Sequence, residues 1–235
     1  MNILAVGCHP DDLEVACVGT LAKYVKQGHK VFMCHITNGN MGHVIIEPEE
    51  LAAMRNKEAE NAAAVIGAEA ITLNVGDGRV DGADKDIIRK LVEVIRYAGP
   101  DVIITHNPDD YMQDHMETSR LAYNASFMAT IPHFEPEAGP RHELIAPLYY
   151  MDTLAGINFQ PTEYVDISEE IELKIEALDC HVSQIKWMAD HDHIDFLDFV
   201  RTCSKFRGLQ ASVPYAEGFR PYAGWPRFTT KRLLP

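Results

Sequence analysis

The chain has 235 residues, of which 46% are apolar and 24% charged. That is enough for one sizeable α/β core, and the acids outnumber the bases for a formal charge of −14. With no Lys/Arg run in such an acidic chain, nucleic acid and anionic membrane surfaces are poor partners. No apolar run approaches the roughly 20 residues needed to span a bilayer.

The N-terminal run Met1–Cys8 is apolar but short and has no basic leader, so it reads as a first strand rather than a signal peptide. Lys30–Ile36 is a second strand of the buried, parallel type, and between the two Val18, Leu21, Ala22 and Val25 recur at helical spacing before Gly28. A helix is expected from about Pro48 to Ile66, closed by Gly67, and then a strand over Ala70–Val75. Asp84 caps a helix with Ile87, Ile88, Leu91 and Ile95 on its inner face, ended by Gly99-Pro100. Asp101–Thr105 is again a strand, followed by a helix from about His115 to Met128.

The last third is less regular. Pro132–Pro147 holds four prolines and reads as an ordered loop, Leu148–Met151 and Glu163–Ile167 as strands, and Ser168 as the cap of a helix running to about Met188. The alternation implies an α/β fold, Rossmann-like and doubly wound, with a mostly parallel sheet, helices on both faces and a decorated C-terminal part. With no repeat and no linker, residues 1–235 read as a single domain.

The five cysteines are scattered and form no CxxC pair, which points to reduced thiols and a cytoplasmic setting. A metal in this chain therefore has to be held by His and carboxylate. Two clusters qualify, each just after a strand, where open α/β sheets bind ligands. The first is Cys8-His9-Pro10-Asp11-Asp12-Leu13-Glu14, and the second is Thr105-His106-Asn107-Pro108-Asp109-Asp110-Tyr111-Met112-Gln113-Asp114-His115.

His9 and Asp12, three residues apart at a turn into a helix, can point the same way. A third ligand from the second cluster would leave the open position that a catalytic zinc needs. Asp11 then lies beside the metal without ligating it, placed to accept a proton from an attacking water.

His9-Pro10-Asp11-Asp12-x-Glu14, with Gly19-Thr20-Leu21 behind it, resembles the signature of the PIG-L/LmbE-like zinc-dependent N-acetylglucosaminyl deacetylases. Asp114-His115 matches the end of the family's second motif. Arg55, His181-Val-Ser-Gln184 and Tyr215-Ala-Glu-Gly-Phe219 are similar to family segments, nearest to the bacillithiol-pathway branch. The resemblance spans roughly residues 2–220. It implies His9, Asp12 and His115 as ligands of zinc or another divalent ion, Asp11 as general base and Asp114 as a second catalytic carboxylate. Arg55 and Tyr215 are implied as substrate contacts. His106 and Asp110, from the cluster's position at the sheet edge, are further candidate contacts. The implied partner is a small N-acetylated sugar, and relatives of this kind assemble as trimers or hexamers.

One position departs from the pattern. Many members carry His-Pro-Asp-His where this chain has Met112-Gln113-Asp114-His115. Methionine donates no hydrogen bond, and losing such a donor costs on the order of 10²–10³ in rate if nothing replaces it. The replacements open to the sequence are another histidine (His106, His43, His191 or His193), or Tyr215 or Arg55. The remaining alternatives are a metal-binding protein with lost or altered hydrolase activity, and an amidohydrolase of a non-sugar N-acyl amine. Asn38–His43 is a loop at the active edge that could cover a substrate. Tyr222 and Trp225 read as packing residues rather than sugar-stacking ones.

Overall fold

The computed structural model describes residues 1–235. Five strands, β1 (Asn2–Gly7), β2 (Lys30–Thr37), β3 (Glu69–Val75), β4 (Val102–Thr105) and β5 (Leu148–Met151), lie side by side and parallel. Two more, β6 (Glu163–Asp166) and β7 (Ala216–Pro221), extend the sheet, giving the order β3-β2-β1-β4-β5-β7-β6 with β7 antiparallel to both neighbours. The strand order reverses between β1 and β4, so the crevice of a doubly wound sheet opens above their C-terminal ends.

Alternation along β1 supplies both faces. Leu4 and Val6 join a core with Ile87, Leu91 and Ile95 of α4 (Lys85–Ala98) and Leu121 of α5 (Gln113–Met128). Ile3 and Ala5 join the opposite core with Val18 and Leu21 of α2 (Val18–Lys26), Ile66 of α3 (Pro48–Ile66) and Ile171 of α6 (Ile171–Asp179). A central strand buried on both sides needs no polar alternation, which is why β1 reads as a continuous apolar run. The Asp84 side chain accepts from the backbone N–H groups of Asp86 and Ile87, as the sequence expects of a cap.

The C-terminal third differs from the sequence reading. Instead of one helix from Ser168 to Met188, α6 ends at Asp179 and a separate α7 (Val182–Trp187) follows, running into a π turn over Met188–Asp192. The break buries His181 completely, its Nε2 3.4 Å from Oε1 of the equally buried Glu14. Ser168 does not cap α6: its hydroxyl donates to the Asp166 carboxylate, and Glu170 holds the cap position. The helix α8 (Phe196–Ala211) and the strand β7 were not expected at all. The strand Ala-Glu-Gly-Phe-Arg-Pro carries Gly, Pro and a buried acid, so it has no alternating pattern to read.

That buried acid links the two ends of the chain. Glu217 accepts from the backbone N–H groups of Gly19 (3.0 Å) and Thr20 (2.7 Å) and from Lys174 Nζ (2.6 Å). A carboxylate from β7 thus caps α2, which has no side-chain cap of its own. Gly19 permits the approach, since a Cβ there would lie 3.1 Å from Glu217 Oε1. Glu217→Ala leaves Lys174 buried and uncompensated and uncaps α2. A loss of about 3–5 kcal/mol of stability is expected, read as a lower denaturant midpoint at unchanged slope.

Candidate active site

Two turns at the switch point build the site. After β1 the chain passes through Asp11 at φ 123°, a left-handed conformation costly for a residue with a side chain, and enters the short helix α1 (Asp12–Ala16). Arg55 of α3 holds that turn: its guanidinium donates to the Pro10 carbonyl, to Asp11 Oδ2 (3.1 Å) and to the Gly39 carbonyl (3.2 Å). Gly39 has to be glycine here, because φ is +70° and a Cβ would come within 2.6 Å of the Arg55 side chain.

Asp12 is the centre of the site. Its Oδ2 accepts from the His9 backbone N–H (2.6 Å) and lies 3.2 Å from His106 Nε2, while its Oδ1 lies 3.3 Å from His115 Nε2. His9 Nδ1 is 3.4 Å from the same carboxylate. Burial alone would raise Asp12, but His115 and His106 outweigh it and hold the carboxyl well below the usual range.

Two sets of donor atoms fall within 4.8 Å of one another, Asp12 with His106 and His115, and Cys8 with His9 and Asp12. Chemistry narrows them. His106 Nε2 accepts the Cys8 backbone N–H at 2.9 Å, so its lone pair is already used. The Cys8 thiol is pushed up to about 11 by burial and stays protonated. Neither set holds His9 together with His115; the expected trio meets at Asp12, whose carboxylate lies 3.4 Å from His9 Nδ1 and 3.3 Å from His115 Nε2. The clearest sign of fit is His115 Nε2, which is buried without a hydrogen-bond partner while Nδ1 is fixed at 3.1 Å from Asp110 Oδ1. A carboxylate behind a metal-facing imidazole is the usual orienting arrangement.

This placement revises four expectations. Asp110 is not free for a substrate, because its side chain is 1% exposed behind His115. His106 is likewise buried, stacked on His115 at 4.1 Å and engaged by Cys8. Arg55 reaches the cavity wall, but its two terminal nitrogens go to Asp11 and two carbonyls, and only Nε, also buried, has no partner. Tyr215 does not join the cavity at all. Its backbone pairs with Ile167 and Ser168 near the outer strand β6, and its ring packs at the margin of the core. Asp114 does reach the site, with Oδ2 3.5 Å from His9 Nε2 and 2.6 Å from the Gly78 N–H.

A cavity of about 420 Å³ opens over this group, a size suited to a small molecule. His9, Asp11, Asp12 and His115 form one wall, and Met41, Met112, Leu154, Met188 and Phe196 an apolar one. None of His43, His191 and His193 lines it: His43 packs on Trp187 at 5.1 Å, and the other two lie on the exposed π turn and just after it. The loop Asn38–His43 does reach the cavity through Met41 and Gly42, held by Asp77, which accepts from the Gly39 and Met41 N–H groups. Tyr222 and Trp225 lie elsewhere, Tyr222 against Tyr123 and Trp225 exposed.

The site also recruits residues the sequence reading gave no role. Tyr111 stands edge-on to His115 at 5.6 Å with its ring on the cavity wall. Asp77 and Asp152 follow β3 and β5, so an acid stands at the C-terminal end of four parallel strands. That regularity was readable once the strands were assigned.

Comparison with known proteins fits this geometry. The family model described as GlcNAc-PI de-N-acetylase (PIG-L) matches residues 4–126, which contain both turns. The chain belongs to the PIG-L family. It is 28% identical over 232 residues to a diacetylchitobiose deacetylase of Thermococcus kodakarensis, covering 93% of this chain and 82% of that one. The crystal structure of the N,N′-diacetylchitobiose deacetylase from Pyrococcus horikoshii superposes with a TM-score of 0.80 at 27% identity, over 94% of this chain and 83% of the other. A 4-oxalmesaconate hydratase of Pseudomonas putida is 24% identical over 248 residues, covering 97% of this chain and 91% of that protein. The PIG-L fold thus carries more than one reaction, and the site has to decide which.

If His9, Asp12 and His115 are the ligand set, His115→Ala abolishes stoichiometric divalent metal measured by mass spectrometry. Asp110→Ala, which leaves all three ligands, is expected to weaken metal affinity about 10–100-fold.

Proposed function

We propose that the protein is a metal-dependent N-deacetylase that hydrolyses the acetamide of an N-acetylglucosamine-type sugar or sugar conjugate, with zinc as the metal. The observation that carries this reading is Asp11. It stands next to the ligand group, on the wall of the cavity, with Arg55 as its hydrogen-bond partner. His9, Asp12 and His115 would hold zinc, which would supply Lewis acidity for an amide carbonyl and an attacking water.

The chain's own residues do the rest. Asp11 accepts the proton of the attacking water at its carboxylate and passes it to the departing amine nitrogen. Burial raises Asp11 to about 6 even though Arg55 pulls the other way, which makes it a competent base near neutral pH. Arg55 fixes the carboxylate and the strained turn that presents it. Asp110 orients His115, and Asp114 orients His9, in place of the reacting role the sequence suggests for Asp114.

Met112 lines the cavity and donates no hydrogen bond, so another group has to steady the charge on the carbonyl oxygen. Tyr111 fills that role in this reading, since it lines the cavity edge-on to His115, and burial with Asp12 and Asp110 nearby keeps it protonated.

The sheet runs unbroken from β3 to β6, which favours one domain over residues 1–235. Exposed Ile45 and Trp225 favour a homo-oligomer, a trimer or hexamer. No helix is long and apolar enough to cross a membrane, and the reduced thiols favour the cytoplasm.

A second reading, addition of water to a carbon–carbon double bond, draws on Met112 and on the hydratase relative. Against it, Arg55 is buried with both terminal nitrogens engaged by Asp11 and two carbonyls, leaving only the buried Nε without a partner.

With zinc-reconstituted protein and a panel of N-acetyl sugars, Asp11→Asn is expected to lower amine release about 10²–10⁴-fold while retaining zinc. Amine release by the native protein from none of the sugars, with hydration of an unsaturated acid seen by loss of absorbance, would transfer the assignment to the second reading. Tyr111→Phe is expected to cost about 10²–10³ in kcat with little change in KM, and Met112→His in that background to restore part of the loss.

A further inference from the structure

The end of the sheet away from the catalytic turns carries a charge arrangement of its own. Leu148 opens β5, Glu163 opens β6 and Pro221 closes the antiparallel β7, so all three lie at that far end. The chain after β7 folds back over it, anchored by Leu234 in the core and by the Leu233 carbonyl, which accepts from the Tyr24 hydroxyl at 2.8 Å. A cavity of about 250 Å³ lies between this tail and the strand ends. Glu163, Arg227, Lys231 and Arg232 belong to its walls, three bases to one acid in a chain whose net charge is −14.

Two buried polar atoms on those walls have no hydrogen-bond partner. The first is Nε of Arg227, a residue only 3% exposed. Arg227 Nη1 donates to the Ala146 carbonyl (3.3 Å), Nη2 donates to the Tyr123 carbonyl (2.8 Å), and the guanidinium lies 4.7 Å from the centre of the Tyr123 ring. Its partners are two carbonyls and a ring, none of them a carboxylate, so the charge is buried without a counter-ion. That is a costly state for a cation. The second atom is Glu163 Oε2, which has Arg232 Nε at 3.9 Å, close enough to pair electrostatically but too far to hydrogen-bond. Lys231 is exposed beside them.

The cavity therefore presents an unused cationic donor and an unused carboxylate acceptor together. A plain anion satisfies only the first and is repelled by the second. Both are satisfied by an oxyanion that carries its own O–H, accepting from Arg227 and Lys231 and donating to Glu163. Phosphate keeps such a proton near neutral pH, and sulfate has none.

We propose that this cavity is a phosphate site, remote from the reacting centre, which takes hydrogen phosphate, free or as the end of a phosphomonoester, and rejects sulfate. The bound group supplies the counter-ion that Arg227 lacks, and its hydroxyl occupies Glu163.

Calorimetry on the zinc-loaded full chain, near neutral pH and at low ionic strength, compares inorganic phosphate, methyl phosphate and sulfate. One phosphate per chain is expected, bound about tenfold or more tightly than sulfate, the difference that one charged hydrogen bond makes. Glu163→Gln removes the repulsion and is expected to bring the phosphate-to-sulfate ratio close to one. Lys231→Ala, at an exposed position, is expected to weaken phosphate about tenfold and leave amine release unchanged. Arg227→Leu is expected to abolish binding; should it fail to fold, the Glu163 and Lys231 variants still decide. Methyl phosphate binding as well as inorganic phosphate would assign the site to a phosphomonoester, and its exclusion to the free ion. No phosphate binding, sulfate bound as tightly as phosphate by the native chain, or phosphate binding unaltered by Lys231→Ala and Glu163→Gln, as expected of phosphate on the zinc, would overturn the proposal.

Discussion

One carboxylate organises the active edge of this protein. Asp12 is the first residue of α1, yet its two oxygens meet His9 from the same turn and His106 and His115 from the turn beyond β4. Three imidazoles gathered around one acid is an arrangement that helix capping does not require. It draws the two strands at the switch point into a common purpose. The acid is affordable in a buried position because its neighbours stabilise the charged form more than burial penalises it. The consequence is asymmetric: His106 Nε2 accepts the Cys8 N–H and supports the turn, whereas His115 Nε2 faces only Asp12, at 3.3 Å and without a well-aligned hydrogen bond.

Supports for that centre come from distant parts of the chain. Arg55 on α3 clamps the strained Asp11 turn, and Asp77 after β3 anchors the loop that Arg55 also touches. His181 packs on Glu14, and the next residues of α7 reach α3 and the loop: Ser183 donates to Glu58 and Gln184 to the Gly42 carbonyl. Glu217 then ties β7 to the start of α2. Buried pairs of this sort add little net stability compared with apolar packing, but each is costly to break from one side. They hold the α1 turn in one geometry, which is what a reaction centre needs.

Met112 shows how far a motif can change while its scaffold persists. Asp114 and His115 reach His9 and Asp12, while Met112, just before them, lines the cavity with an apolar side chain. A cavity with one metal-binding wall and one methionine-rich wall suits a substrate that is polar at the reacting end and uncharged beyond it.

Most of the parallel half was legible in the sequence, because strands buried on both faces appear as apolar runs and the helices between them carry clear stripes and stops. The two His/Asp clusters were legible for the same reason: each follows a recognisable strand, and the sheet rule places both at one edge. What local pattern could not show was any partner chosen across the fold. Nothing near Asp110 or His106 in sequence tells that one would sit beneath His115 and the other beneath Asp12, nor that Tyr215 would face away while Asp152 would pair with Arg207. The break at His181, the helix α8 and the strand β7 were hidden likewise, since their reasons are Glu14, Lys174 and the start of α2, residues far away along the chain. The sequence by itself determined the parallel half of the sheet, its active edge and the chemical types gathered there. Only the tertiary structure decided which of those side chains face the cavity and which are used up in holding it open, because that depends on hydrogen bonds such as Arg55 to Asp11 and Cys8 to His106, made between separate elements of the fold.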